Sequence, residues 1–220
     1  MNYVQKLEES FFSHRDSMKA IAMKQYMRNR FEFLGISSPE RKQLYRLYWK
    51  NNGLPAVADL PLIIRELWEK PERELHYFAM ETCKKLAKHV GQEHINTLEY
   101  MLQNKQWWDT VDFIAADLVG HHFTRYPALT SEYFDKWNNA SDLWLNRTAL
   151  LFQLKYGERT DTKLLSKAIL HHNKTKEFFI NKAIGWALRQ YSKTNSIWVK
   201  RFIKTHELSN LSRKEARKYL

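Results

Sequence analysis

Along nearly the whole chain apolar residues recur at the spacing of an α-helix. No segment shows the strict alternation of a half-buried strand. Glycine (6) and proline (5) are scarce in 220 residues, too few for the many special turns of an all-β fold. Helices joined by short connections follow from these two facts. Start signals mark some of them. "SSPERKQLYRLYW" opens with Ser37 and Ser38, then Pro39 and Glu40: a hydroxyl cap, a first-turn proline and an acid at the positive dipole end. "KPERELHYFAMETCKKLAKH" repeats the device at Pro71 and Glu72, and Gly91 follows as a stop signal. The pattern reads as roughly a dozen helices of about 10–18 residues.

A weak repeat organises them. "DFIAADLVG" from Asp112, "RTALLFQLKYG" from Arg147 and "KAIGWALRQYS" from Lys182 start 35 residues apart, each preceded by an aromatic: Trp108, Trp144 and Phe179. A further helix fits between each pair, in "SEYFDKWNNA" and "TKLLSKAILHH". A helix pair of this length is the unit of HEAT-type α-solenoids, which stack to share a core and leave a concave face. The expected fold is therefore all-α, an α-solenoid of HEAT-like antiparallel helix pairs with a concave basic groove. An irregular helical bundle with a chance spacing is the competing arrangement. No linker-like stretch interrupts residues 1–220, which are read as a single domain.

Hydrophobic residues make up 44% and aromatics 14%, enough for a true core. The lone cysteine, Cys83, excludes an intramolecular disulfide and suits a reducing cytoplasm; its apolar setting suggests packing. The N-terminus has no apolar signal core, and no uncharged run reaches the length of a membrane span, so no membrane association is expected. The formal net charge of +12 points to a polyanionic partner, nucleic acid before anionic membrane.

Three places break the helical logic. Around 107–119, Trp107, Val111, Ile114 and Leu118 form one apolar stripe at i, i+4, i+7 and i+11, which should face the core. Trp108 lies about 100° further round. It shares its side with Asp112, one turn on, and with Ala115 and Ala116, which leave open space beside them. In "LWLNRTALLFQL", apolar nearly all round, Arg147 is the one charge, and a buried arginine needs a partner. A salt bridge to Asp112, at the equivalent place one repeat earlier, and a phosphate clamp are compatible readings of it. On the helix around 178–192, Lys182, Trp186, Arg189 and Lys193 form a face opposite the core stripe, and Gly185 permits close approach of another backbone. In a solenoid these residues of three successive repeats line one groove.

The chemistry left to such a groove is stabilisation of a cation. No zinc-type metal motif or glycine-rich phosphate loop occurs, so no metal or cofactor is expected. Aromatic faces attract positive charge, by on the order of 2 kcal/mol when desolvated. A preorganised charge can lower a barrier by roughly 3–4 kcal/mol. Glycosidic cleavage passes through an oxocarbenium-like sugar, so a DNA-binding groove of this kind could release a damaged base, with Asp112 also orienting the attacking water. With no general acid in view, the leaving group should need no proton, as in a purine made cationic by N3 or N7 alkylation.

At these residues the sequence resembles the bacterial DNA alkylation repair glycosylases of the AlkD type, built from HEAT-like repeats. The resemblance runs from "QYMRNRFEFLGISSPERKQL" (25–44) through "IIRELWEKPERE" (63–74), "WWDTVD" (107–112) and "NRTALLFQLKYG" (146–157) to "FFINKAIGWALRQYSKTN" (178–195). It implies that Trp108, Asp112 and Trp186 line the site of the lesion's deoxyribose, that Arg147 contacts the DNA backbone nearby and that Tyr26 is an auxiliary groove residue. It also implies contact with sugar and phosphates, the base staying outside any protein pocket, unlike the usual base-flipping mode. Lys182, Arg189 and Lys193 complete the expected DNA-binding set. The partner is duplex DNA containing alkylated purines, bound by a monomer without an obligate protein partner. Competing readings are a non-catalytic HEAT-like DNA-binding module, a protein-binding scaffold and a lyase using Lys182 as an imine-forming amine.

Overall fold

The computed structural model describes residues 2–220. The described residues form an all-α fold in which no strand occurs; an isolated bridge joins Glu32 to Glu72. The chain divides into two compact units, Met1–Thr97 and Leu98–Leu220. Among the described residues no helix is long and apolar enough to cross a membrane.

The first unit holds α1 (Tyr3–Phe12), α2 (Ser17–Tyr26), α3 (Ser38–Asn52), α4 (Leu60–Glu69) and α5 (Arg73–Leu86). The expected start of α3 is realised at Ser37, whose backbone N–H donates to the Glu40 carboxylate at 2.9 Å. Helix α1 packs on α3 and α4, and α4 on α5, around buried Leu7, Phe11, Ile64, Trp68 and Phe78. The buried Glu74 carboxylate accepts the backbone N–H groups of Leu34, Gly35 and Ile36 at 3.0, 2.9 and 3.2 Å. This fixes the segment leading into α3 and satisfies a charge that burial would otherwise penalise. Cys83 is buried on α5, and burial pushes its thiol up to about 12, so it packs as a small apolar group.

Helix α6 (Ile95–Gln103) carries the boundary between the units. Then follow α7 (Trp108–Phe113), a π-helical turn (Ile114–Val119), α8 (Gly120–Arg125), α9 (Ala128–Asn138), α10 (Leu143–Leu151), α11 (Thr162–His172), α12 (Phe178–Ser192), α13 (Ser196–Thr205) and α14 (Asn210–Ala216). Within the second unit α10 packs between α7 and α12, and α12 packs against α14, making one row of stacked helices. Helices α9, α11 and α13 pack on that row from neighbouring positions in the chain. This is the alternation of an α-solenoid.

The core stripe of Trp107, Val111, Ile114 and Leu118 is buried as expected. Trp107, Trp144 and Phe179 form one aromatic cluster, with centroids 5.4, 5.1 and 5.0 Å apart. The repeat is thus cemented by Trp107. The aligned sequence had put Trp108 in that place, but the backbone at Trp107 is still extended, and this turns its ring onto the cluster. Helix α10 is buried from Trp144 through Leu151, as its all-round apolar character requires.

Candidate functional site

Asp112 stands on the last turn of α7, just before the π turn. Both its oxygens are held by one guanidinium: Arg147 Nε donates to Oδ1 at 2.7 Å and Nη2 to Oδ2 at 2.9 Å. Arg147 Nη1 also donates to the carbonyl of Phe179 at the start of α12. Arg147 therefore ties three successive helices of the row together. The salt-bridge reading of this residue is the arrangement observed. Its side chain is only 5% exposed, whereas that of Asp112 is 17% exposed. The pair turns its negative end towards solvent.

Burial pushes the Asp112 carboxyl above the ordinary aspartate range. The two bonds from Arg147 and its charge pull the other way, and the charge of Asp109 adds to the rise. The bidentate geometry is the strong form of this interaction and fixes the carboxylate in one orientation.

Asp112 opens onto a cleft also lined by Phe113, Ala116, Asp117, Leu154, Lys155, Trp186 and Gln190. Asp112 and Trp186, selected from sequence on separate repeats, thus come together. Trp108 is half-buried one turn before Asp112 and is not among the residues lining this cleft. Of the two alanines expected beside Asp112, Ala116 lines the cleft and Ala115 is fully buried. A π turn over Ile114–Val119 follows α7 directly, and its i+5 closure loosens the local winding there.

The expected cationic face of α12 is not a freely solvated row. Lys182 and Arg189 both donate to the Glu215 carboxylate of α14, at 2.8 and 2.9 Å, and Lys218 joins them at 2.9 Å. Hydrogen bonds from Lys182 and Lys218 hold the Glu215 carboxyl down to about 2. Helix α14 reaches this face because Gly185 has no side chain. A Cβ there would lie 2.4 Å from Glu215 Cβ and 2.8 Å from the Ser212 carbonyl oxygen. Lys193 is exposed, its ammonium 4.9 Å from the Tyr219 ring centroid. Tyr26 lies in the first unit, at the end of α2, 74% exposed.

Asp117, Lys155 and Gln190 were not singled out from sequence. Counting at 100° per residue puts Asp117 on a different side from Asp112, and Lys155 looks like an ordinary charge after a helix. Glu215 lies beyond the three aligned repeats, so the spacing gave no reason to look there. Among the described residues, no group of three or more His, Cys, Asp or Glu side chains is arranged to hold a metal ion.

The family model described as DNA alkylation repair enzyme matches residues 7–220. A solved structure described as a predicted DNA alkylation repair enzyme from Enterococcus faecalis superposes with a TM-score of 0.87 at 35% sequence identity, covering 94% of this chain and 96% of its own. No curated protein matches.

Proposed function

The chain belongs to the DNA alkylation repair enzyme family, and from that premise we propose that it is a monofunctional DNA glycosylase acting on N3- and N7-alkylated purines in duplex DNA. Residues 1–220 form its single glycosylase domain, since the family match runs through both compact units. In this reading the bond from C1′ of the sugar to the purine breaks with its electron pair going to the base. The cationic alkylpurine leaves neutral, so no general acid is needed. Water then adds to C1′ and loses its proton.

One observation carries this reading. Asp112 presents the negative end of a fixed ion pair at a cleft whose wall includes the Trp186 ring. A carboxylate held at one place, with its cationic partner behind it, favours a positive centre in front of it, and it needs no reorganisation as charge develops. Trp186 and Trp108 add aromatic faces to the sugar cation, and Asp112 orients the water. Arg147 meets the DNA backbone close by and fixes Asp112. Lys182, Arg189 and Lys193 supply further DNA contacts, and Tyr26 of the first unit supplies an auxiliary one. The base stays outside a protein pocket, the reaction uses neither metal nor cofactor, and the protein works as a cytoplasmic monomer on the bacterial nucleoid.

Release of 7-methylguanine from duplex DNA tests the proposal. Wild type should release the base in single turnover, and Asp112→Asn should do so at least 100-fold more slowly, the scale of losing one preorganised group. Equal rates would remove Asp112 from the mechanism. The second reading, a non-catalytic DNA-binding module, predicts salt-dependent binding without any release. The paired charges of Lys182 and Arg189 suit either; the Asp112–Trp186 cleft favours the enzyme.

A further inference from the structure

The cleft holds a second ion pair that neither the proposed reaction nor the family match accounts for. Lys155 Nζ donates to Asp117 Oδ1 at 2.7 Å, and both residues line the cleft with Asp112 and Trp186. Asp117 follows Asp112 by five residues. On an uninterrupted α-helix five residues turn 500°, which leaves the two side chains about 140° apart on different faces. The π turn Ile114–Val119 lies between and around them, and with it both carboxylates open onto one cleft. Single π turns inside helices are rare and concentrate at functional sites.

The two pairs are oriented in opposite senses. In the first, the carboxylate is the more exposed end, 17% for Asp112 against 5% for Arg147. In the second it is the ammonium, 60% for Lys155 against 12% for Asp117. The cleft therefore offers a negative point and a positive point to whatever enters it, with the Trp186 ring as a third wall. A nucleotide undergoing glycosidic cleavage has the complementary pattern: a sugar becoming cationic, joined to an anionic phosphate.

Resting on the glycosylase reading, we propose that Lys155 binds a backbone phosphate of the lesion nucleotide and that Asp117 is the positioning residue that holds its ammonium at the cleft. A free lysine on a four-carbon stem would sample many rotamers, and the tether removes part of that entropy before DNA arrives. The pair loses little by taking a phosphate, because the ammonium has three donors and only one is needed for Asp117.

The test is titration of a duplex carrying one 7-methylguanine, at several salt concentrations, with release followed in the same samples. Lys155→Met should weaken binding roughly fivefold and reduce the salt slope by about 1, as loss of one phosphate contact requires. Lys155→Arg should restore most of both. Asp117→Asn is the discriminating variant. It adds one unit of net positive charge, so a purely long-range effect would tighten DNA binding, whereas loss of the tether weakens it. In the Lys155→Met background Asp117→Asn should cause no further loss. An unchanged salt slope in Lys155→Met, or tighter binding by Asp117→Asn, overturns the proposal. The exposed Lys155 variants keep the test valid even if Asp117→Asn folds poorly. Absence of base release by wild type would overturn the glycosylase reading, while the binding data would still decide the phosphate contact.

Discussion

Arg147 grips both oxygens of Asp112 across 35 residues of sequence, at 2.7 and 2.9 Å, and bonds the Phe179 carbonyl with its remaining terminal nitrogen. The same guanidinium thus serves the fold, by joining α7, α10 and α12, and the site, by fixing the carboxylate. Arg147→Met should leave Asp112 largely buried without its cation. Breaking such a pair costs about 3–5 kcal/mol, and the remaining exposure of Asp112 places the expected loss at the lower end. For a chain of this size that is a fall in Tm of roughly 6–12 °C. A thermal melt within 2 °C of wild type would show that the pair is not structural.

The pH dependence of base release should report Asp112. Its carboxyl is raised by burial, and only the ionised form stabilises a sugar cation. Activity should therefore be lost as pH falls, with a midpoint above the ordinary aspartate value of about 3.9. The alkylated purine carries its charge without a proton, so the acid limb belongs to the protein. Removing Arg147 withdraws the favourable charge and should move the midpoint further up. A single-turnover pH–rate profile that stays flat down to pH 4 would contradict this.

Much of this was legible in the chain because it follows from regular periodicity. The Ser37–Glu40 helix start, the extent of α11 over "TKLLSKAILHH", and the buried stripe from Trp107 to Leu118 all obey a 3.6-residue count and simple capping. The register of residues 112 and 147 also came through, since repeats stacked side by side bring equivalent positions together. What failed did so where the backbone leaves the α-helix. The loose repeat alignment set Trp108 beside Trp144 and Phe179, whereas Trp107, already assigned to the core stripe, joins their cluster, and the π turn brought Asp117 into the cleft in a way no 100° count can foresee. The pairing of Lys182 and Arg189 with Glu215 was hidden for another reason. It depends on a helix outside the repeat, and Gly185 signalled only that some backbone comes near.

That close approach makes Gly185 a sensitive position. A methyl group there would meet Glu215 Cβ at 2.4 Å and the Ser212 carbonyl oxygen at 2.8 Å, and backbone cannot swing aside as a flexible side chain does. Gly185→Ala should push α14 from α12 and cost about 1–3 kcal/mol, despite alanine's better helix propensity. Chemical denaturation should show a lower midpoint. A stabilised variant would mean that α14 does not hold this position in solution.

Glu215 links acid stability to the same contact. Its folded pKa of about 2 lies below that of an unfolded glutamate near 4.3, so the folded state favours the ionised form. The sign follows: this stabilisation is fully present above the unfolded pKa and drains away as pH falls from about 4.5 towards 2. Glu215→Gln should remove it at every pH. At neutral pH it leaves Lys182, Arg189 and Lys218 close together without their shared carboxylate, a loss of about 1–3 kcal/mol. Stability curves of wild type and Glu215→Gln, measured by urea denaturation, should therefore converge as the pH is lowered from 5 to 3. Parallel curves over that range would show that the three cations do not hold Glu215 ionised. The same variant offers a check on the groove charges, since freeing Lys182 and Arg189 should steepen the salt dependence of DNA binding if these residues face the backbone.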